Sequence, residues 1–234
     1  MKHDELDRMV ALLAEEAGVK IVLNKKIDTL PEGFDKIIGC DGAISKVRKL
    51  LNLKDLDCRL GIQGIVPRGN SLSSEEKKSY HDLDFVDAWP TKSGFFWKIP
   101  REKDIEYGII EKQEKAKGLF DKFVKERDLH LTEIKAALIS EGLATPANRD
   151  IALCGDAAGL TKPWTGGGVI WALTAADILL AEYPSFLEYK KELEKFFSFK
   201  IMLSKLATKV VYFIGFKLPF LLPKNAKIES DFLI

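Results

Sequence analysis

The sequence has few histidines and cysteines, and it has no long apolar segment. Its 234 residues include three histidines and three cysteines. The histidines have no metal-ligand spacing, and the odd number of widely spaced cysteines predicts buried free thiols in a reducing compartment. No segment approaches the roughly 20 apolar residues that a membrane-spanning helix needs, and no apolar signal segment opens the chain. We therefore expect a cytoplasmic protein with neither a metal site nor a transmembrane helix.

The net charge is also low. A formal net charge of +1, with no interleaving of basic and aromatic residues, gives no electrostatic reason to expect nucleic-acid binding. The hydrophobic content of 46% and the charged content of 30% are ordinary for a globular protein. A chain of this length can bury a substantial core, as one large domain or two modest ones.

The stretch from Ile151 to Leu180 carries most of the chemical information. It begins with a short apolar run typical of a strand buried on both faces, continues through small residues and glycines, and ends in a helix predicted from Val169. The unpaired amides of such a helix favour an anionic or electron-rich group. Asp156, at the carboxyl end of the strand, can accept hydrogen bonds from sugar hydroxyls. Taken alone, the Gly-Asp pair also fits a tight connection in which Asp156 caps a turn.

The whole string from Gly155 to Gly168, GDAAGLTKPWTGGG, resembles the second flavin-binding motif of the geranylgeranyl reductase family. The resemblance implies an FAD cofactor, with Asp156 on the ribityl chain and with Gly168 and Val169 against the flavin ring. No Gly-Lys-Ser/Thr ending is present, so a nucleotide triphosphate loop is not expected. The neighbouring positions that the resemblance also assigns to the cofactor are Gly155, Ala157, Gly159 and Gly167.

A second string, Gly39 to Arg48, resembles the GADGxxSxVR motif of the same flavoprotein class. It follows a predicted strand at Asp35–Cys40, and Ser45 is positioned to cap the helix behind it. The resemblance implies that the Asp41-Gly42 turn lies near the cofactor diphosphate and that the backbone of Ile27 touches the adenine. Alone, Asp-Gly indicates only a turn.

The predicted secondary structure changes to a series of short strands between residues 60 and 111. Short strand-like runs alternate there with turn signals, and connections this short predict a mostly antiparallel sheet. The predicted strands are Leu60–Val66, Ser79–Trp89, Gly94–Pro100 and Asp104–Ile110.

The strand FFWKIP is the most aromatic of these runs. Its pleat places Phe95, Trp97 and Ile99 on one face, with Phe96 and Lys98 on the other. The aromatic face is either the core side of the sheet or the wall of an apolar cavity. The run resembles the YxWxFP element that lines the isoprenoid tunnel of geranylgeranyl reductases. That resemblance implies substrate contacts from Phe95, Trp97, Ile99, Pro100 and Trp164.

Outside these motifs the periodicity predicts further helices and strands. Helices are predicted from Leu6 to Gly18 and over Ala116–Asp128, with strands at Lys20–Leu23 and Leu131–Ile139. The C-terminal part reads as two helical segments, Tyr183–Lys200 and Ile201–Leu222. The second is basic and amphipathic, so it either lies on a bilayer surface or packs against the body of the protein.

One expected feature of the family is missing. No strand with G-x-G-x-x-G occurs, although that element holds the FAD pyrophosphate at a helix N-terminus. The FAD diphosphate and adenosine would therefore lose most of their contacts. We expect this part to be supplied by a second chain or to be absent from a truncated one, which predicts an exposed strand edge and poor solubility without a partner.

These patterns predict an α/β fold, an incomplete FAD-binding domain of the glutathione-reductase or hydroxylase type with an inserted antiparallel sheet and C-terminal helices. The implied activity is flavin-dependent reduction of prenyl double bonds of geranylgeranyl chains in isoprenoid lipids, as in archaeal ether-lipid synthesis, without an assigned catalytic acid or base. The alternatives are a flavin monooxygenase or dehydrogenase on another apolar substrate, and a non-catalytic partner subunit. The predicted parts are residues 1–57 and 143–182 for the cofactor, 58–142 for the substrate and 183–234 for the C-terminal helices.

Overall fold

A computed structural model describes residues 3–67, 85–101, 104–218 and 220. The chain divides into two compact units, Met1–Gly33 and Phe34–Ile234. The first unit contains helix α1, His3–Glu16, which confirms the predicted helix, followed by irregular chain. The predicted strand at Lys20–Leu23 is wrong, because this segment is irregular and pairs with no strand in the described part of the chain.

The second unit contains a pair of parallel strands, β1 (Ile37–Gly39) and β7 (Ile151–Leu153). β1 leads into the short helix α2 (Lys46–Leu50), and the Ser45 hydroxyl accepts a hydrogen bond from the Arg48 amide at 2.9 Å. The predicted cap is therefore confirmed. Because the strands run parallel, the turns that follow them lie at the same edge of the pair.

A five-stranded antiparallel sheet forms the other half of this unit, in the order β3-β4-β5-β2-β6. The predicted strand at Ser79–Trp89 is observed only as β3, and residues 79–84 lie outside the described part of the chain. The strands are β2 (Asp57–Pro67), β3 (Asp87–Pro90), β4 (Phe95–Pro100), β5 (Asp104–Lys112) and β6 (Thr132–Glu141).

Helix α3 (Gln113–Glu126) covers one face of this sheet. Its buried side chains include Phe123, which stacks on Phe96 with ring centroids 4.3 Å apart. Tyr107, Ile109 and other buried residues of β5 complete this core. The face that carries Phe96 is thus the core side, and Phe95, Trp97 and Ile99 lie on the opposite face, as the pleat predicted.

A 3-10 turn at Gly155–Ala158 follows β7 and leads to helices α4 (Val169–Glu182) and α5 (Phe186–Lys217). The two predicted C-terminal segments form this one 32-residue helix, since neither Gly nor Pro interrupts the chain near residue 200. α5 reaches the sheet where the Tyr212 hydroxyl donates to the Gly94 carbonyl at 2.6 Å. No helix in the described ranges combines the length and the apolarity needed to cross a bilayer.

Candidate functional site

The turn after β7 brings the backbone into a compact loop around Asp156. Gly155 and Gly159 both have positive φ angles, +61° and +83°, which residues with side chains rarely adopt. The Leu160 amide donates to the Gly155 carbonyl at 3.2 Å and closes the loop. Ala157 and Ala158 are fully buried, so the turn is anchored in the core while Asp156 stays half-buried.

The carboxylate of Asp156 is an unused hydrogen-bond acceptor. Among the described residues none donates a hydrogen bond to either of its oxygens, and burial raises the pKa of this carboxyl above its ordinary value. Gly168 lies directly beside it: a Cβ added at Gly168 would sit 2.7 Å from Asp156 Oδ1. The space around the carboxylate therefore depends on the absence of a side chain at position 168.

The N-terminus of α4 opens beside this carboxylate. Gly168 is the N-cap residue and provides no side-chain cap for the first-turn amides. Val169, the first helical residue, is 48% exposed. Uncapped amides and the positive end of the helix dipole favour an electron-rich group at this position. The Asp156 carboxylate, a hydrogen-bond acceptor, thus lies beside the donor amides in the first turn of α4.

Arg48 connects the two motifs, a role that the sequence did not reveal. Its side chain is 3% exposed, and it donates to the Ala157 carbonyl at 2.8 Å and to the Ala43 carbonyl at 2.6 Å. One guanidinium thus fixes the turn before α2 to the turn after β7. The position of Arg48 in the GADGxxSxVR string was the signal that the sequence offered. Its partner Ala157 lies 109 residues away in sequence.

The end of β6 holds the Asp156 turn from the other side. The Ser140 hydroxyl donates to the Asp156 carbonyl at 2.7 Å, and the Thr161 hydroxyl donates to the Ser140 carbonyl. The Gly142 amide donates to the Gly159 carbonyl at 3.1 Å. These contacts fix the backbone of the turn, and none of them involves the Asp156 carboxylate.

Asp41 is fully engaged within its own turn. It accepts hydrogen bonds from the Ser45 hydroxyl at 2.6 Å and from the Lys46 and Val47 amides at 2.5 and 3.1 Å. Burial alone would raise the pKa of this carboxyl, but these hydrogen bonds outweigh burial and lower it. Asp41 therefore stabilises the start of α2. Its predicted contact with a diphosphate, like that of Gly42, stays a prediction.

Ile27 belongs to the first unit, Met1–Gly33. It lies in irregular chain, with 41% of its side chain exposed. Its backbone contact with an adenine stays a prediction.

The sheet face opposite α3 carries the predicted apolar wall. Phe95 and Trp97 lie next to each other, with ring centroids 6.0 Å apart. The Trp97 indole lies over Gly108, and its Nε1 donates to Glu106 Oε1 at 3.0 Å. Phe95, Trp97 and Ile99 are all half-buried. They face away from the α3 core, and their substrate contacts stay predictions.

The glycine-rich loop after the Asp156 turn rests on this same sheet face. A Cβ added at Gly166 would meet the side chains of Ile110 and Ile139. Arg59 in β2 donates to the Pro163 carbonyl at 2.8 Å. Ile110 is also the cross-strand partner of Phe95. The structure therefore brings the candidate cofactor loop and the aromatic wall together through Ile110.

Two of the predicted substrate residues have other neighbours. Pro100 pairs with the core residue Ile105 on the α3 side of the sheet, because the pleat sends it opposite to Ile99. Trp164 packs edge-on against Trp171 in α4, with ring centroids 6.4 Å apart. Their substrate contacts stay predictions.

Replacing Gly108 with alanine should lower the free energy of unfolding by about 1–3 kcal/mol, because a Cβ at this buried position overlaps the Trp97 indole. Urea unfolding followed by tryptophan fluorescence measures both the stability and the displaced indole. The matched control is Gly118→Ala in α3, where nothing lies within 4 Å of an added Cβ. That variant should be about 0.5–1 kcal/mol more stable than the wild type. Equal stabilities of the two variants would contradict the packing of Trp97 on Gly108.

Replacing Asp156 with asparagine should stabilise the chain at neutral pH, by about 0.5–1 kcal/mol. Burial raises the pKa of Asp156 in the folded state, so the stability linked to its proton is present at low pH and is lost as the pH rises through that pKa. The gain in the variant should therefore vanish in acid. Urea unfolding of both proteins across a pH series measures the difference in their free energies of unfolding. A difference that is constant with pH would show that ionisation of Asp156 is not its cause.

No protein-family model matches the chain. Its structure is similar to that of a geranylgeranyl bacteriochlorophyll reductase-like protein from Thermoplasma acidophilum, with a TM-score of 0.64 and 19% identity over 89% of this chain and 63% of the other. A tryptophan 6-halogenase from Streptomyces toxytricini gives 0.60 and 16% identity over 97% and 49%. A flavin-dependent halogenase from Xanthomonas campestris gives 0.55 and 13% identity over 80% and 43%.

At these identities the likeness shows the fold alone. The predicted fold class is confirmed, since the chain shares the fold of a reductase-like protein and of flavin-dependent halogenases. The chain spans about 63% of the length of the reductase-like protein and less than half of the two halogenases. The resemblance to geranylgeranyl reductases thus holds at the level of the fold.

Proposed function

We propose that this chain supplies the flavin-ring and substrate side of an FAD-dependent oxidoreductase that reduces prenyl double bonds of geranylgeranyl chains in isoprenoid lipids. The observation that carries the proposal is the contact of Gly166 with Ile110, the cross-strand partner of Phe95. The glycine-rich loop, which suits a cofactor, thereby lies next to the apolar wall. Such a wall suits a substrate whose reacting bond lies within a hydrocarbon chain.

The residues around Asp156 fit the flavin end of FAD. The free carboxylate of Asp156 would accept hydrogen bonds from ribityl hydroxyls, and the open amides of α4 would donate to the electron-rich edge of the ring. Gly168 leaves the space for this approach. When bound, FAD supplies the hydride transfer. The chain itself binds and orients the cofactor, and its aromatic face excludes water from the reacting bond.

The remaining part of the fold would hold the FAD diphosphate and adenosine, whether it belongs to the same polypeptide or to a second one. Two features of the described residues favour such a partner. β1 pairs only with β7, and a two-stranded parallel sheet is not stable by itself. In the first unit, Met9, Val10 and Leu13 are 46–56% exposed, which is unusual for apolar residues clustered on one helix.

The experiment that tests this function uses the assembled protein, which we define as this chain together with the remaining part of the fold. Purified protein is loaded with FAD, the flavin is reduced chemically, and a geranylgeranyl lipid is added. Mass spectrometry should show the addition of two hydrogens per reduced bond, together with reoxidation of the flavin. The control is the Asp156→Ala variant, which should form less product than the wild type at an FAD concentration that saturates only the wild type.

Other products would support the other candidates. When oxygen is admitted to the reduced protein, a lipid that gains oxygen would indicate a monooxygenase. When oxidised flavin replaces the reduced flavin, a desaturated lipid would indicate a dehydrogenase. An assembled protein that never binds FAD would indicate a non-catalytic subunit. Each of these results would overturn the reductase proposal.

A lipid substrate also suggests a peripheral membrane contact, which we propose for the C-terminal half of α5. The buried residues of α5 end at Ser204. Beyond Lys195 the helix carries no acidic residue, and lysines flank its outer apolar stripe. Apolar side chains between snorkelling lysines suit an anionic bilayer surface. The stripe consists of Met202, Leu206, Val210 and Phe213, which are 46–61% exposed.

Neutralising Lys209 and Lys217 together with glutamine should weaken binding to anionic vesicles roughly 30-fold, at about 1 kcal/mol per lysine. Vesicle co-sedimentation of the assembled protein measures this, with phosphatidylcholine vesicles as the neutral comparison. The matched control neutralises Lys115 and Lys125, two exposed lysines of α3. Equal loss in both variants, or no binding at all, would contradict the membrane contact and favour a protein cover for this stripe.

A further inference from the structure

Cys40 and Cys154 lie side by side at the carboxyl ends of the two parallel strands. The last paired residues of β1 and β7 are Gly39 and Leu153, so the cysteines occupy the next position of the same register. The Cys154 amide donates to the Gly39 carbonyl at 3.0 Å, so the alignment continues to this position. Neighbouring strands are about 4.8 Å apart, a separation that a disulfide can bridge.

The two thiols differ in their surroundings. Cys40 is exposed, in contrast to the burial expected for it, whereas Cys154 is only 7% exposed and its thiol donates to the Ala172 carbonyl in α4 at 3.8 Å. The neighbouring Cys40 thiol lowers the pKa of Cys154 to about 7, and contacts with Tyr189 and the Gly155 amide act in the same direction. The neighbouring Cys154 and Asp41 raise the pKa of Cys40.

We propose that Cys40 and Cys154 form a dithiol site that reacts with low-molecular-mass disulfides, such as oxidised glutathione, and closes to an intramolecular disulfide. The accessible Cys40 sulfur, after losing its proton, attacks the small disulfide and releases one thiolate. The Cys154 thiolate then attacks the Cys40 sulfur of the mixed disulfide and releases the second thiolate. Both cysteines are oxidised, the small disulfide is reduced to two thiols, and the two protons pass to them.

This bond would join the strand ends that carry the Asp41-Gly42 and Gly155-Asp156 turns. It would therefore fix the two turns relative to each other in the oxidised protein. The inference stands on the strand register and does not depend on the function proposed above. The third cysteine provides an internal control, since Cys58 lies in β2 and its thiol donates to the Leu56 carbonyl at 3.6 Å.

The test exposes the full, folded chain to oxidised glutathione and analyses it by intact mass and by non-reducing peptide mapping. The wild type and the Cys58→Ser variant should both lose two hydrogens and give a linked Cys40–Cys154 peptide. The Cys154→Ser variant should stop at a glutathione adduct on Cys40. The Cys40→Ser variant, changed at an exposed position, should take up no glutathione at Cys154 while folded. Circular dichroism verifies that each variant remains folded.

Two results would overturn the proposal. One is a folded wild type in which Cys40 and Cys154 both stay free while Cys58 reacts. The other is a linked peptide that forms only after urea has unfolded the chain, since the register of β1 and β7 would then play no part.

Discussion

Replacing Arg48 with methionine is expected to lower the free energy of unfolding by about 3–5 kcal/mol. Methionine keeps much of the side-chain volume but leaves the Ala157 and Ala43 carbonyls without their donor. Hydrogen bonds from charged donors contribute about 1.5–3 kcal/mol each, and buried carbonyls without a partner lose their solvation as well. The expected loss is therefore large for a chain of this size. Urea unfolding at neutral pH measures it.

The control for this experiment is the neighbouring residue. Lys49 follows Arg48 in α2 but is exposed, so Lys49→Met should change the stability by no more than about 0.5 kcal/mol. If Arg48→Met and Lys49→Met are equally stable, Arg48 does not join the two motif turns. If only Arg48→Met is unstable, the turn that presents Asp156 depends on a residue of the other motif.

Replacing Asp156 with alanine is expected to weaken FAD binding by the assembled protein roughly 10- to 100-fold. This range corresponds to the loss of one hydrogen bond to a charged acceptor. We expect this loss of affinity because no other described residue donates a hydrogen bond to the carboxylate, so it is available to FAD. Fluorescence titration of the apoprotein with FAD gives the dissociation constant directly, without any assay of turnover.

A matched aspartate separates this effect from a general loss of charge. Asp150 lies just before β7, is exposed and pairs with Lys36 at 2.9 Å. Asp150→Ala should leave FAD affinity unchanged. Equal weakening in both variants would remove Asp156 from the cofactor site, even if the fold assignment stands.

Local features of this chain could be predicted because they depend on neighbouring residues. The Ser45 cap, the start of α4 at Val169 and the alternation of Phe95 to Lys98 all follow from short-range geometry. The antiparallel pairing of β3, β4 and β5 was predictable for the same reason, since the connections between these three strands are short.

Features that depend on tertiary contacts could not be predicted. The partner of Arg48 is 109 residues away, and the adjacency of Cys40 and Cys154 requires the register of two distant strands. The strand predicted at Lys20–Leu23 failed because strand propensity alone does not provide a pairing partner. The contact of Gly166 with Ile110 likewise joins segments whose proximity no periodicity encodes.

The most direct test of the central claim is to locate FAD on the assembled protein with a photoreactive FAD analogue labelled at the flavin ring. After illumination and digestion, peptide mass spectrometry identifies the attachment point. We expect the label in the peptide that spans residues 155–169, from the Asp156 turn to the start of α4. An assembled protein that stays colourless, or one whose label falls only on other segments, would contradict it.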